Sequence, residues 1–496
     1  MRGTGARAFV LALILFGGIA GLPACNIAPD PDQFALELLP IPDSLEVAVR
    51  VLLKVGAAED PTGKDGLCCL TWRMLSEGGS RLRSLEDLAG AFDLDAAGFS
   101  LRLEKEVAVF SAVVRKNDLA SFCAVFRDIL LDPGFRQDDF DRLKAEQMYF
   151  VRTALAGNMD EQFGPEVLNL SLYQDHPYGR TDAGTVETVE GLTLEDVKAF
   201  YREHFVRGNI VIGLAGGYSA DFPAKVRSDF EKLPAGFTPR LPLPRPRTLQ
   251  GLEFILVEKA TATPAISIGF PIGRTKSKKA AWALRIAAAH FNEAADNASA
   301  GWADFVEPTL ARRQKNFSVR IRPNPSDNIH FLIRRTLREL RSVAENGLSD
   351  ERFQSLRTAL LGLLDRDASS PETRLIRQMS VRNDGFDFSA NAREILAGLT
   401  LKDVNKTIQK YLRIENGAIV VIAPGAAELR DALLSNAPSP NANAGSTSGD
   451  DSLSEDAAIR TYTLAVKPEN IRIIPAGEFF LKPGMPGLGT PPAERK

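Results

Sequence analysis

Histidine is scarce in this chain. Its 496 residues hold four, His176, His204, His290 and His330. No two stand three or four apart, the spacing that would place both on one helix face, so a metal site built from a histidine pair on one helix is excluded. Cysteine is equally rare at four. Beyond Cys25, the chain keeps Cys68, Cys69 and Cys123, an odd number that does not make a disulfide framework in an exported protein. They read as small apolar side chains destined for burial, with a contact between Cys123 and one of the adjacent pair left open. Excess charge is also missing: a formal net charge of −3 and a pI of about 6.0 exclude the clustered Lys and Arg that nucleic acid requires. The apolar run from Phe9 to Leu22 is too short to span a bilayer.

That run does have the form of an export signal. Arg2 and Arg7 precede it, and it ends in Leu22-Pro23-Ala24-Cys25, which resembles a bacterial lipobox. Residues 1–25 are therefore expected to be a lipoprotein signal peptide, with Cys25 as the lipidated residue. Contact with the membrane would run through this lipid anchor only, since several acyl chains hold where one binds marginally. Asn26 is not an inner-membrane retention aspartate, which favours an outer-membrane lipoprotein facing the periplasm. An ordinary signal peptide and a soluble secreted product is the alternative.

The remainder has 44% hydrophobic and 25% charged residues, enough for two domains with sizeable cores. GLTLEDVKAFYREHFVRGNIVIGLAGG (191–217) and GLTLKDVNKTIQKYLRIENGAIVVIAPG (398–425) match as a capping box, an amphipathic helix, a polar turn and a strand ending in glycine. A second pair, 107–144 and 317–357, keeps nearly the same offset, so the chain is a duplication rather than a solenoid. The expected fold class is α+β: two homologous halves, each a mostly antiparallel sheet with helices packed on one face, facing each other across a cleft. The expected boundaries are 26–234 and 253–435 for the halves and 235–252 for a Pro-rich linker. A disordered low-complexity segment at 436–457 and a tail at 458–496 with a possible edge strand follow.

The segment VLLKVGAAEDPTGKDGLCCL (51–70), the stretch DHPYGRTDAGTVETVEGLTLEDVKAFYREHF (175–205) and the duplication together resemble the pitrilysin and insulinase zinc peptidases, which include the mitochondrial processing peptidases. The resemblance covers about residues 38 to 435. Active members carry His-x-x-Glu-His on the first helix, where two histidines bind zinc and the glutamate polarises a water. Aligned on Gly66-Leu67 and Met74-Leu75, those positions hold Cys69, Trp72 and Arg73. The third ligand, a glutamate on a later helix, has only Glu146 as a counterpart, out of the expected register. The arginine and tyrosine by which the second half of an active member grips substrate also lack a counterpart: tyrosine is absent from 219 to 410. Trp302 and Phe305 are the nearest aromatic substitutes.

The resemblance thus implies a degenerate member with no catalytic residue and no metal ligand, and with zinc absent. Trp72, Arg73, Trp302 and Phe305 are candidates for lining the cleft. Its expected partner is a catalytic zinc-peptidase homologue in a heterodimer, with peptides bound by strand addition. A stand-alone envelope binding or scaffold protein is the alternative from another class, and a residual metalloendopeptidase a third reading. His176 in HPYGR reads as a structural turn residue, and His290 and Glu293 as a surface contact.

Overall fold

The structure is a computed structural model that describes residues 33–87, 99–240, 242–262, 264–272, 275, 277–296, 301–306, 316–322, 329–367, 370–384, 391–440 and 450–486. The expected signal peptide and Cys25 lie outside the described residues. The first half runs β1 (Ala35–Pro40), β2 (Glu46–Leu53), α1 (Leu67–Glu77), β3 (Ser100–Leu103), β4 (Ala108–Arg115), α2 (Leu119–Leu131), α3 (Gln137–Tyr149), α4 (Asp160–Leu172), α5 (Val186–Glu190), α6 (Leu194–His204), β5 (Ile210–Gly216) and α7 (Phe222–Phe230). The second half repeats this order with β6 (Leu252–Glu258), β7 (Ala265–Pro271), α8 (Lys278–Asp296), β8 (Gly301–Val306), β9 (Asn316–Ile321), α9 (Ile329–Asn346), α10 (Asp350–Asp367), α11 (Pro371–Asp384), α12 (Ala392–Ala397), α13 (Leu401–Tyr411), β10 (Gly417–Ala423) and α14 (Ala426–Leu434). A tail adds α15 (Asp450–Arg460) and β11 (Ile471–Pro475).

The sheets are ordered β1-β5-β2-β4-β3 and β11-β6-β10-β7-β9-β8. β1 is parallel to β5, and β6 is parallel to both β10 and β11; the other neighbours are antiparallel. The duplication therefore places α6-β5 and α13-β10 at corresponding sites. Both helices begin as their sequences predict, with Thr193 and Asp196, and Thr400 and Asp403, exchanging the reciprocal bonds of a capping box.

A strand points alternate side chains to opposite faces, and in β2 both faces are buried. Val47, Val49, Val51 and Leu53 enter the core beneath the helices of the first half. Ala48 and Leu52 face the other way and pack with Leu375 and Met379 of α11, which comes from the second half. The exchange is reciprocal. Ala418, Val420 and Ile422 of β10 pack with Phe163, Val167 and Leu168 of α4, which comes from the first half. Each half's own helices cover one face of its sheet, as expected, and the opposite face is closed by a helix of the other half. Polar contacts fix the exchanged helices: Asp160 at the start of α4 accepts from Lys259 and from the Thr261 hydroxyl, and Gln378 of α11 donates to Glu37 of β1 at 2.7 Å.

Among the described residues, the linker at 235–252 has no regular structure up to β6 but is pinned on both sides. Arg240 pairs with buried Glu106 at 2.8 Å, and Arg247 forks onto Glu253 while donating to the Ser171 carbonyl. The expectation of disorder across 436–457 needs correction. Residues 441–449 lie outside the described residues, but α15 begins at Asp450 and packs on α9. Arg334 of α9 donates to Asn436 Oδ1 and the Ala437 carbonyl ahead of the gap and to the Tyr462 carbonyl beyond it, while the Ser439 amide donates to the Arg460 carbonyl and Arg460 Nε donates to the Ser439 carbonyl. A fully buried guanidinium is costly to leave unbonded; those carbonyls satisfy it and tie both flanks of the segment to the second half.

Candidate functional site

The helix that would carry a peptidase's zinc motif is α1, and its start is built for close packing. Gly66 has φ of 95°, and a Cβ there would lie 2.6 Å from the Ala183 carbonyl, so only glycine fits. Asp60 caps the helix, accepting from the Gly66 and Cys68 amides at 2.8 and 2.7 Å. Burial pushes its carboxyl well above the ordinary range, against the pull of those two bonds. Gln147 of α3 closes the corner by donating to the Gly66 and Ala183 carbonyls.

The rotation of α1 separates the three motif positions. Cys68 and Trp72, one turn apart, face the core and are fully buried. The Trp72 ring meets Phe110, Phe200 and Phe205 with centroids 6.4, 6.1 and 6.3 Å away. Trp72 is thus a core residue and not a lining of the cleft. Cys69 and Arg73 lie one step around the helix. Cys69 is only partly buried, as is Cys123, which corrects the expectation of full burial, and all three described cysteines are free. Arg73 is 21% exposed and holds two carboxylates, Glu77 at 2.8 Å and Glu146 of α3 at 2.6 Å, while also donating to the Leu143 carbonyl.

Zinc does not fit these residues. It needs a deprotonated thiolate, neutral imidazoles or free carboxylates. Burial pushes the Cys69 thiol up to about 12, Trp72 offers no lone pair, and the permanent cation of Arg73 already occupies the Glu146 carboxylate. Glu146, which sequence spacing placed out of register, is nonetheless the acid that meets α1. Arg73 holds its carboxyl below the ordinary range. An Arg73→Met variant is expected to return the Glu146 pKa upward, readable in an NMR titration of its side chain. A depressed carboxylate contributes stability above its unfolded pKa and loses it as pH falls through the folded value, so wild type should lose more stability on acidification than the variant. The difference is at most about 1 kcal/mol, because both carboxylates are more than a third exposed.

Trp302 and Phe305 lie in β8, opposite Arg320 and Phe317 of β9; their side chains are outside the described residues. His176 is buried and caps the turn Pro177–Gly179, its Nδ1 accepting from the Tyr178 amide at 3.0 Å. That is the structural role its motif predicts. His290 contacts Glu339 and Arg352 from neighbouring helices, at 2.9 and 3.0 Å. Sequence reasoning missed a charged layer between the halves. Lys105 bridges Asp182 and the Arg180 carbonyl, and Glu166 of α4 faces Lys105, Asp182 and Arg320. Burial pushes the Glu166 carboxyl up to about 7. These residues are scattered along the chain, and only the helix exchange brings them together.

Two family models match the chain. The model for insulinase, peptidase family M16, covers residues 41–186, and that for the peptidase M16 inactive domain covers 191–360. The chain belongs to peptidase family M16. Among its relatives are an uncharacterized zinc protease of Streptomyces coelicolor, 22% identical over 73% of this chain and 82% of that protein, and the mitochondrial-processing peptidase subunit beta of Blastocladiella emersonii, 22% identical over 82% and 90%. In fold, this M16 chain resembles a peptidase M16 inactive domain from Pseudomonas fluorescens, with a TM-score of 0.69 at 16% identity over 79% of this chain and 96% of that one. It also resembles the periplasmic protease PqqL of Escherichia coli, with a TM-score of 0.65 at 13% identity over 80% of this chain and 47% of that one.

Proposed function

We propose that this M16 chain is a non-catalytic, zinc-free subunit that pairs with an active zinc peptidase of its own family and helps form the chamber in which that mate holds peptide. The observation that carries this reading is Arg73. At a ligand position of the family's motif stands a cation, held by Glu77 and Glu146, on a two-half scaffold that is otherwise complete. Peptide would add to a sheet edge through its backbone; that β3 ends the described order of the first sheet and contacts α1 supports this edge. Lipidation at Cys25 would hold the pair on the periplasmic face of the outer membrane.

The test is purification of the full chain from its native envelope, followed by mass spectrometry and metal analysis. The expected result is co-purification with a homologue bearing His-x-x-Glu-His, with zinc tracking the mate. Recovery of this chain alone sinks the pairing and leaves the stand-alone envelope protein. Stoichiometric zinc in the isolated chain, with chelator-sensitive cleavage of peptides, overturns the non-catalytic reading.

A further inference from the structure

The two sheets share one plan but differ by one strand. The order β1-β5-β2-β4-β3 corresponds to β6-β10-β7-β9-β8, with parallel and antiparallel neighbours in the same places. The registers correspond as well. Leu36 stands opposite Ile212 of β5 as Phe254 stands opposite Ile419 of β10, and the amide after each first strand donates to the end of its neighbour, Ile41 to the Gly216 carbonyl and Lys259 to the Ala423 carbonyl. β11 is the surplus strand. It adds in parallel to the outer side of β6, with Ile471 opposite Phe254 and Ile473 opposite Leu256, whereas β1, the counterpart of β6, ends the described order of the first sheet.

The difference shows in the side chains. Beside β11, Phe254 and Leu256 are each 1% exposed and belong to the core, while Leu36 is only half-buried and Leu38 is 37% exposed. It shows in the backbone too. A strand turns the N–H and C=O groups of successive residues to opposite sides. Since the Ile41 amide donates inward to Gly216, Leu36 and Leu38 turn their amides and carbonyls outward, where no described residue bonds them. Pro40 stands on the same outward side, the place where a strand tolerates a residue without an N–H. Proteins blunt free edges with charges, bulges or covering segments, because such edges pair with other chains. Ahead of its terminal proline, this edge presents two leucines instead.

A cation marks the start of the edge. Phe34, the residue before β1, packs on Phe230 of α7 with ring centroids 6.1 Å apart. The exposed Arg227 of α7 lies over the Phe34 ring at 5.7 Å and has no ion pair among the described residues. In the second half, α14 flanks β6 and β11 in the corresponding place. A strand beside β1 would therefore meet Arg227 at its leading end and Leu36 and Leu38 along its length. β11 has the matching pattern, with Glu469 just ahead of Ile471 and Ile473. We propose that the outer edge of β1 docks a parallel strand of a partner protein, an extended segment with an acidic residue just ahead of two aliphatic residues at alternate positions. This edge is at the opposite end of the sheet from β3 and is independent of any peptide held there.

The test is titration of the full chain with a fluorescein-labelled peptide, Pro-Glu-Asn-Ile-Arg-Ile-Ile-Pro-Ala, which copies residues 468–476, read by anisotropy and by hydrogen exchange. The expected result is saturable binding with new protection of the Leu36 and Leu38 amides, which gain partners. In the register that β11 takes on β6, the peptide's arginine N–H points to β1 and that of the isoleucine after it points away. N-methylation of the arginine should therefore weaken binding about tenfold or more, and N-methylation of that isoleucine much less. Leu38→Lys, at an exposed position and checked by circular dichroism, should lose about tenfold. Arg227→Ala should lose about threefold. The proposal is overturned by no binding at about 1 mM peptide, by binding without new protection in β1, by equal binding of the two N-methyl peptides, or by Leu38→Lys or Arg227→Ala variants that bind like the parent. Self-association of the chain that protects β1 without peptide assigns the edge to a second copy and overturns it as well.

Discussion

Replacing Trp72 by glutamate, the residue that the resemblance aligns with it in active members, is expected to unfold the first half. Trp72 has no exposed surface, and its ring is enclosed by Phe110, Phe200 and Phe205. Truncating a buried tryptophan costs about 3–5 kcal/mol on its own. A carboxylate in the same place adds a desolvation penalty with no cation on that face of α1 to offset it, since Arg73 is turned toward Glu77 and Glu146. A loss of about 4 kcal/mol or more is a large part of the 5–15 kcal/mol that typically holds a domain folded. Urea denaturation followed by far-ultraviolet circular dichroism measures it. Trp72→Phe, which keeps an aromatic in the cluster, should lose clearly less. The triple change Cys69→His, Trp72→Glu and Arg73→His puts two imidazoles on one face of α1 but should cleave no peptide, because its glutamate, the base of the motif, must leave the core before it can reach a water held there. A stable Trp72→Glu protein would show that α1 can rotate.

On the resemblance, the replacement of the motif at positions 69, 72 and 73 reads directly from the sequence, because it is a matter of residue type. Trp72 offers no base and Arg73 no lone pair to a metal, whatever the geometry. Which way each side chain points was not legible, since spacing gives separation along a helix but not its rotation on the sheet. The rotation is set by Trp72 itself, the largest apolar side chain on α1, which seeks the aromatic core. The two halves and their paired capping boxes were readable because a duplication repeats its local signals, Thr193 with Asp196 and Thr400 with Asp403. The helix exchange left no such signal. Amphipathic α4 and α11 show that they bury a face, but not whose sheet receives it. The Glu166, Lys105 and Asp182 layer depends on that exchange and was therefore hidden as well. The tail's anchoring was missed for a related reason: composition at 436–457 is poor in apolar residues, and what holds its flanks is one buried arginine, Arg334, bonding to backbone carbonyls.

Two glycines within strands locate the contacts that make the halves interdependent. Gly213 of β5 lies under α11, where an added Cβ would come within 2.4 Å of Met379 Sδ and 2.8 Å of Leu375 Cδ1. Gly269 of β7 plays the same part under α4, with Leu168 and Leu172 each 2.9 Å from the Cβ position. Glycine weakens a strand interior, and its presence at both sites marks a close approach of other groups. Gly213→Val should therefore raise local strand propensity yet destabilise the protein, because the branched side chain pushes α11 off the sheet. Overpacking of this kind costs about 1–3 kcal/mol and more where the neighbours cannot yield. Here Leu375 and Met379 can escape only by undocking a helix that ties one half to the other. Hydrogen exchange in Gly213→Val should show protection falling in both β2 and α11, elements that belong to different halves. Combining it with Gly269→Val should split the single unfolding transition into two, as each half loses the helix it receives. If both variants melt in one sharp transition at the wild-type midpoint, the exchanged helices are passive neighbours. If they split, the M16 halves of this chain are coupled through the helices they trade.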